Sequence, residues 1–382
     1  MARGTVRLVY LDWLRGLAVL IMVQAHVVDS WTRHEDRQSV AYYDAVFLGG
    51  VGAPLFLFLA GVALVLSAAS KSRASGNPSI GARAALRRGG EVLVLALVFR
   101  VQSQLLGWGS LASLLKVDIL NIMGLSMIAA AGLWGSSRRP GTRIALFASA
   151  TAAATLLTPL VREWTPLGAL PDPLEAYLRP DGRYAAFTLF PWSGFLFAGA
   201  LMGELIVAVT GQAAERRLHM ALLAAGVGGA LTAWWAASRP ALFPSAQFWT
   251  SSPTFFFIRL GIITALVPAG WAHCRFWLGD AAESTSQAAV APRLTRPGQV
   301  MVALTRAFET LGRSSLFVYW IHVEMVYGVA AEPLKRSLPL WGSLVAVLVL
   351  CVVLYAVVLM KNRWLRGFEL PSRFRIFAAV LR

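Results

Sequence analysis

Cysteine is nearly absent: Cys274 and Cys351 are the two in 382 residues. Two thiols, one placed inside an apolar stretch and one on the side predicted to be cytoplasmic, exclude a disulfide framework. Charge is scarce too. Only 14% of residues are Asp, Glu, Lys or Arg, against about 25% in an ordinary soluble domain. Acidic side chains are the scarcest, 19 against 35 basic ones. No phosphate-binding GxxxxGK[ST] loop, GxSxG elbow, HExxH pair or CxxC pair occurs. The five histidines are not spaced as metal ligands, so no metal is expected.

What fills the space is apolar. Hydrophobic residues make up 57% of the chain and come in long blocks, such as the uncharged run 344–360. About 20 such residues cross the hydrocarbon core as a helix. The alternation a membrane barrel needs is missing. The expected fold is all-α: a polytopic membrane bundle of about ten transmembrane helices in a single domain, 1–382. Spans are predicted near 8–30, 46–69, 89–108, 117–135, 144–160, 186–210, 219–237, 253–273, 308–330 and 339–360. Asp12 and Arg15 interrupt the first block and no cleavage site follows, so it reads as a span and not as a signal peptide.

Orientation follows from Lys and Arg. With the N-terminus inside, 22 of them fall in inner segments and 9 in outer loops, which predicts cytoplasmic N- and C-termini. The outer loop 161–185, with four prolines, is the local exception. The inner loop 274–307 is rich in Ala, Ser and Thr and is expected to be partly disordered. The net charge of +16 is spread by loop, not gathered into a patch, so nucleic acid is not an expected partner. The lipid bilayer is. No internal repeat is visible, which weakens an inverted-repeat transporter reading.

A charge inside a span is paired or functional by default. Span 1 holds Asp12, Arg15, His26 and Asp29. Asp12 and Arg15, three apart, can pair on one face. Arg15 and His26, eleven apart, share a face about 16 Å apart along the axis. Either these are a structural ion pair and an interfacial histidine, or they are two ends of a site. Span 9 holds Arg313, Ser315, Tyr319 and His322, where ligand contact and helix packing are both open. Asp118 and Asn121 begin span 4, Arg259 sits near the outer end of span 8, and Glu204 lacks an evident partner. His34 follows span 1 in the first outer loop. Gly49, Gly50, Gly52 and Pro54 at the start of span 2, and the small residues of 191–204, suit close helix packing or approach of a ligand.

The runs LDWLRGLAVLIMVQAH, APLFLFLAG, VDILNIMG, PWSGFLFAGALMG and LGRSSLFVYWIHVEMVYG resemble the heparan-alpha-glucosaminide N-acetyltransferase catalytic-domain family. That family lies in a wider superfamily of transmembrane acyltransferases with bacterial O-antigen and cell-wall acetylases. The resemblance runs from span 1 to span 9. Its most specific element is the Arg15–His26 spacing, and the second is SLFVYWIH. It implies a helical bundle that takes an acyl group, acetyl above all, from cytoplasmic acyl-CoA. The group goes to a hydroxyl or amine, often on a sugar, on the outer side. It implies His26 as the catalytic histidine, with Arg15 in the same motif, and a bacterial inner (plasma) membrane as the setting. In the lysosomal enzyme the position matching His26 looks like asparagine, with the catalytic histidine in the following outer loop; the His26 pattern here looks more like the O-antigen acetylase branch, and His34 does not align cleanly with that loop histidine.

On this reading Arg15 and Arg313 bind the phosphates of acyl-CoA, and His26 is general base or acyl carrier. Asp29 orients His26 or its neighbour. Tyr319, His322 or backbone N–H groups face the oxyanion. Asp12, Ser315, Asp118, Asn121, Arg259 and His34 complete the expected binding set. The rival reading is a secondary transporter or channel for a small solute, since buried ionisable residues also mark solute pathways. The acceptor's identity and the oligomeric state, a homo-oligomer included, stay open.

Overall fold

Backbone placed in hydrocarbon must satisfy its own hydrogen bonds, and a helix does so segment by segment. The apolar blocks fold accordingly. The computed structural model describes residues 8–107, 114–180, 182–279 and 295–365. In order these form α1 Val9–Trp31, α2 Val40–Gly49, α3 Gly52–Ser75, α4 Pro78–Gly107, α5 Ile119–Gly135, α6 Pro140–Glu163, α7 Asp172–Glu175, α8 Leu189–Ala208, α9 Gln212–Ala237, α10 Pro253–Leu278, α11 Arg296–Arg313, α12 Ser315–Tyr327 and α13 Leu340–Trp364. Among the described residues no strand forms, only isolated bridges from Thr32 to Leu338 and from Val117 to Ala185.

Among the described residues seven helical stretches are long and apolar enough to cross a bilayer: α1, α2 with α3, α6, α8, α9, α10 and α13. The predicted spans 89–108 and 117–135 correspond to α4, which carries Arg83, Arg87, Arg88, Glu91 and Arg100, and to the apolar but 17-residue α5. Large apolar side chains point outward, among them Leu348 and Val352 of α13 and Leu231 and Trp234 of α9. An aqueous surface rarely tolerates such patches; lipid does.

The predicted span 308–330 needs correction. It is not one helix: α11 ends at Arg313, Ser314 leaves helical geometry (φ −107°, ψ 23°), and α12 begins at Ser315. Helix α11 buries Thr305 and Glu309 and exposes Val300 and Leu304. An amphipathic helix with its polar face inward and its apolar face outward fits a membrane surface. The predicted inner loop 274–307 shrinks from both sides, because α10 continues to Leu278 and α11 starts at Arg296. Its middle, 280–294, lies outside the described residues. So do 1–7 and 366–382, with the basic residues counted there.

The chain divides into two units, Met1–Phe56 with Ala269–Arg382, and Leu57–Pro268. In the first, α1 is the central element. A methyl group on Gly16 would sit 2.0 Å from the carbonyl oxygen of Phe308, and one on Gly312 1.7 Å from that of Asp12. Only hydrogen fits there, so α1 and α11 touch backbone to backbone. As the α1 position falls from 16 to 12, the α11 position rises from 308 to 312: the two helices pass in opposite senses. Against α12 the sense is reversed. His26 meets His322, and Ser30 meets the Val326 carbonyl, so α1 and α12 run parallel. Thr32 and Ser343, both fully buried, share a 2.9 Å hydrogen bond and set the start of α13 beside the end of α1. In the second unit the same device joins α3 to α8, where a Cβ on Gly61 would meet Leu196 O at 2.0 Å and one on Gly199 would meet Phe58 O at 1.9 Å.

The link between α1 and α2 is a short 3-10 turn, His34–Gln38. Its Asp36 accepts from the Arg33 guanidinium (3.1 Å) and from the backbone N–H of Leu340 (2.8 Å), the first residue of α13. A helix N-terminus has N–H groups with no partner in the helix, and a carboxylate satisfies one of them. The Arg33 hydrogen bond first, and the Leu340 N–H second, hold the Asp36 carboxyl below the usual range. A depressed folded-state pKa adds stability above the unfolded value, near about 3.9, and that stability is lost as pH falls through the folded value. Asp36→Asn therefore destabilises at neutral pH. The gap to wild type, followed by thermal unfolding in detergent, closes as the solution is acidified below the carboxylate range. A gap that does not change with pH contradicts the assignment.

Candidate active site

Two of the five histidines meet. His26 lies on α1 and His322 on α12, and His26 Nδ1 is 3.0 Å from His322 Nε2. The rings stack nearly parallel, with centroids 5.1 Å apart. His322 is fully buried. Its other nitrogen, Nδ1, is 2.9 Å from the carbonyl oxygen of Val318, one turn earlier on the same helix.

For two neutral rings these contacts imply where the protons sit. A carbonyl only accepts, so Nδ1 of His322 is the N–H that donates to Val318. A neutral imidazole has one donor and one acceptor, so His322 Nε2 is a lone pair. It accepts from His26, whose Nδ1 therefore carries hydrogen. That leaves Nε2 of His26 as the unprotonated nitrogen of the pair. An orienting partner on one imidazole nitrogen, with the other left basic, is the arrangement by which a triad carboxylate holds its histidine. Here a second histidine stands in that place.

The wall around the pair is aromatic. Tyr327 presents its edge relation to His26 at 5.4 Å, and Tyr319 does so to His322 at 5.6 Å. Tyr319 also stacks on Phe56. Asp29 lies on α1 close after His26. Its Oδ2 accepts from Tyr327 Oη at 3.3 Å, so it holds His26's neighbour. Arg37 donates to the Asp29 carbonyl. Gly49 and Gly52 pack against Ala25 and Met22 of α1, so those glycines bring α2 and α3 close to the helix that carries His26. His34 is exposed and sits 3.1 Å from the Arg336 guanidinium, at the surface and not in the pair.

A second group gathers the charges of α1 and α11. Asp12, 2% exposed, accepts from Arg15 at 2.7 Å, as the spacing predicts, and lies 3.8 Å from Arg313. Glu309, which the sequence reading did not single out, is buried between Arg306 and Arg313. Its signal was the spacing of those arginines at three before and four after it. Among the described residues, three guanidinium groups face these two carboxylates. Arg15 and Arg313 keep 25% and 37% of their side-chain surface exposed. Ser315 opens α12 next to Ser314, whose hydroxyl receives the Lys361 ammonium at 2.8 Å.

Asp118, Asn121 and Arg259 belong to the second unit. Asp118 caps α5, accepting from the N–H groups of Leu120 and Asn121, while Asn121 Oδ1 accepts from the Asp118 N–H. This reciprocal box is tied down by Arg100, 2.8 Å from Asp118, and by Tyr177, 3.2 Å from Asn121. The bonds account for the VDILNIMG run as a helix start. Glu204 finds Arg143 at 3.7 Å, and the Arg143 guanidinium covers the buried Trp134 ring. Arg259 lies over Phe255 at 3.9 Å. Among the described residues no group of three or more His, Cys, Asp or Glu side chains is gathered to hold a metal ion.

Residues 7–235, more than half of the chain, match the family described as Heparan-alpha-glucosaminide N-acetyltransferase, catalytic. No curated protein matches the chain. The matched region contains His26 and Arg15 and stops before His322. Within it α1, α2 with α3, α6, α8 and α9 are long and apolar enough for a bilayer, and the family's activity is acetyl transfer. The chain belongs to the heparan-alpha-glucosaminide N-acetyltransferase catalytic-domain family.

Proposed function

We propose that this protein is a membrane-embedded acyltransferase that moves an acyl group, acetyl in the first instance, from cytoplasmic acyl-CoA to a hydroxyl or amine on the outer side. The His26–His322 hydrogen bond carries the reading. A transporter needs buried ionisable groups, but it does not need one imidazole nitrogen left basic by a fixed partner. In the reaction, His26 Nε2 takes the proton of the acceptor O–H or N–H. The acceptor atom bonds to the thioester carbonyl carbon, the C–S bond breaks, and the CoA thiolate recovers the proton from His26. His322 positions His26 through Nδ1. A sugar or amino sugar is the acceptor class the family suggests.

Arg15 and Arg313, both partly exposed, bind the CoA phosphates. Asp12 and Glu309 fix the guanidinium planes. Ten crossings with both termini inside fit the helix senses of the first unit. Helix α12 parallel to α1 is what an even number of intervening reversals produces. Helix α13 starts beside the end of α1 and reaches Ser314, next to the start of α12, through Lys361, so it runs the other way. The cytoplasmic membrane of a bacterium is the proposed setting.

The test is direct. Purified protein in detergent is given radiolabelled acetyl-CoA and a panel of sugars and amino sugars, and CoA release and labelled product are measured. Acceptor-dependent release of one CoA per acylated product is expected. Saturable solute uptake into proteoliposomes without acyl-CoA, and no transfer to any acceptor, sinks the proposal in favour of a transporter.

A further inference from the structure

In the second unit, a cavity of about 240 Å³ opens where the last turn of α6 faces the segment before α10. Arg162, Glu163, Arg179, Ser245, Gln247 and Ser251 supply its polar lining. Nothing in the acyl-transfer reading uses these residues. The volume is below the roughly 300 Å³ at which drug-sized pockets begin, so a single small group fits.

Arg162 is the informative member. Its terminal nitrogens donate to the hydroxyl and the carbonyl oxygen of Thr250, at 3.1 and 3.0 Å. Both acceptors are neutral. Among the described residues no carboxylate pairs with this guanidinium, whereas Arg179 beside it is paired with Glu175. The Nε of Arg162 is closed off from solvent and has no acceptor, so the protein alone does not satisfy this side chain. Each terminal nitrogen still holds a second N–H.

The rest of the pocket is built to keep its donors facing a ligand. Thr250 passes its hydroxyl hydrogen to Gln247 Oε1 at 3.2 Å, which leaves the Gln247 amide N–H₂ free to donate. Ser251 Oγ accepts from the Gln247 N–H at 2.9 Å and locks the turn. Exposed Glu163 is the one acceptor of charge. A guanidinium without a counterion, an amide donor and one carboxylate specify a ligand in two parts. An oxyanion meets Arg162 and Gln247, and an adjacent O–H or N–H donor meets Glu163.

We propose that this pocket binds a small oxyanion-bearing group, a phosphate ester in the first instance, with a neighbouring hydroxyl or ammonium. Under the proposed orientation it opens on the outer side. Trp164 and Trp249, both exposed, follow α6 and precede α10, and tryptophans at helix ends mark the membrane interface. A soluble phosphate ester and a phospholipid headgroup present the same chemistry there.

The test uses the full chain and does not depend on acyl transfer. Delipidated protein in detergent is titrated with glycerol 3-phosphate and with glycerol. In parallel, nanodiscs with and without phosphatidylglycerol are compared for lipid retained on the protein. Wild type is set beside Arg162→Gln and Ser245→Trp. The second variant fills the cavity and leaves both Thr250 bonds in place, so it reads the site even where the first unseats the loop. Saturable binding of glycerol 3-phosphate but not glycerol, weakened at least about tenfold by both substitutions, supports a soluble ligand. Phosphatidylglycerol retention lost in both variants, without binding of the soluble ester, supports the same site for a headgroup. Binding that both substitutions leave unchanged, or no binding of either probe, overturns the proposal.

Discussion

Replacing His26 with alanine lowers the acyl-transfer rate by about two to four orders of magnitude, the range for loss of a positioned general base. Binding of CoA, measured directly, stays within about twofold of wild type, because the arginines proposed to bind its phosphates are untouched. His322 behaves differently. Alanine at 322 removes the acceptor for His26 Nδ1–H, so the ring is free to turn and to exchange tautomers. A loss of about 10–100-fold is expected, as when the orienting partner of a ligating histidine is deleted. Glutamine at 322 can place an amide oxygen where Nε2 stood and accept the same hydrogen. It restores most of the rate, and leucine, which is as bulky but cannot accept, does not. A merely structural histidine would show no such difference between glutamine and leucine. Equal rates for those two variants would sink the positioning role. Full activity of His26→Ala would move the base to another residue, with His34 the next to try.

Gly312→Ala is the second large effect, and it acts on folding. The added methyl lies 1.7 Å from the Asp12 carbonyl oxygen, with the Asp12 carbonyl carbon and Gly16 N both at 2.8 Å. These are backbone atoms that no rotamer change moves aside. Helices α1 and α11 must part by more than an ångström, and the buried Asp12 must then give up its position between Arg15 and Arg313. Overpacking a well-filled contact costs about 1–3 kcal/mol and sometimes more; this one sits at or above the top of that range. Gly132→Ala on α5 is the control, since a Cβ there meets nothing within 4 Å. It should be neutral or slightly stabilising through the helix propensity of alanine. Chemical denaturation in detergent micelles, read by tryptophan fluorescence, separates the two. Equal midpoints for the two variants would mean that α1 and α11 do not cross this closely.

How much of this was legible in the sequence depends on how far each contact reaches. The Asp12–Arg15 pair was, because three residues on a helix bring two side chains together. His26 and His322 could each be read as a buried histidine within a span. Their meeting could not, because it depends on the rotation of two helices separated by 296 positions. The break at Ser314 left no mark either. LGRSSLF contains no proline, and its hydrophobicity runs on into α12. The chain turns where the amphipathic α11, with Glu309 and Thr305 buried, gives way to the more uniformly apolar α12. Asp118 and Asn121 were noticed as a spacing, but asparagine is not the usual third residue of a capping box. A local role was therefore read as a possible ligand contact. Glu204 looked unpartnered because Arg143 is 61 residues away on another helix.

The hydrogen-bond chain from His26 ends on the Val318 carbonyl, and a peptide oxygen cannot hand a proton onward. Whatever His26 takes from the acceptor has no wire leading away through His322. On the proposed reaction it passes to the departing thiolate, so a proton moves inward as the acyl group moves outward. The proposed turnover is thus electrically silent along the membrane normal, because the two transfers cancel in charge. The enzyme would draw its driving force from the thioester alone and be indifferent to the proton-motive force across the bilayer that holds it.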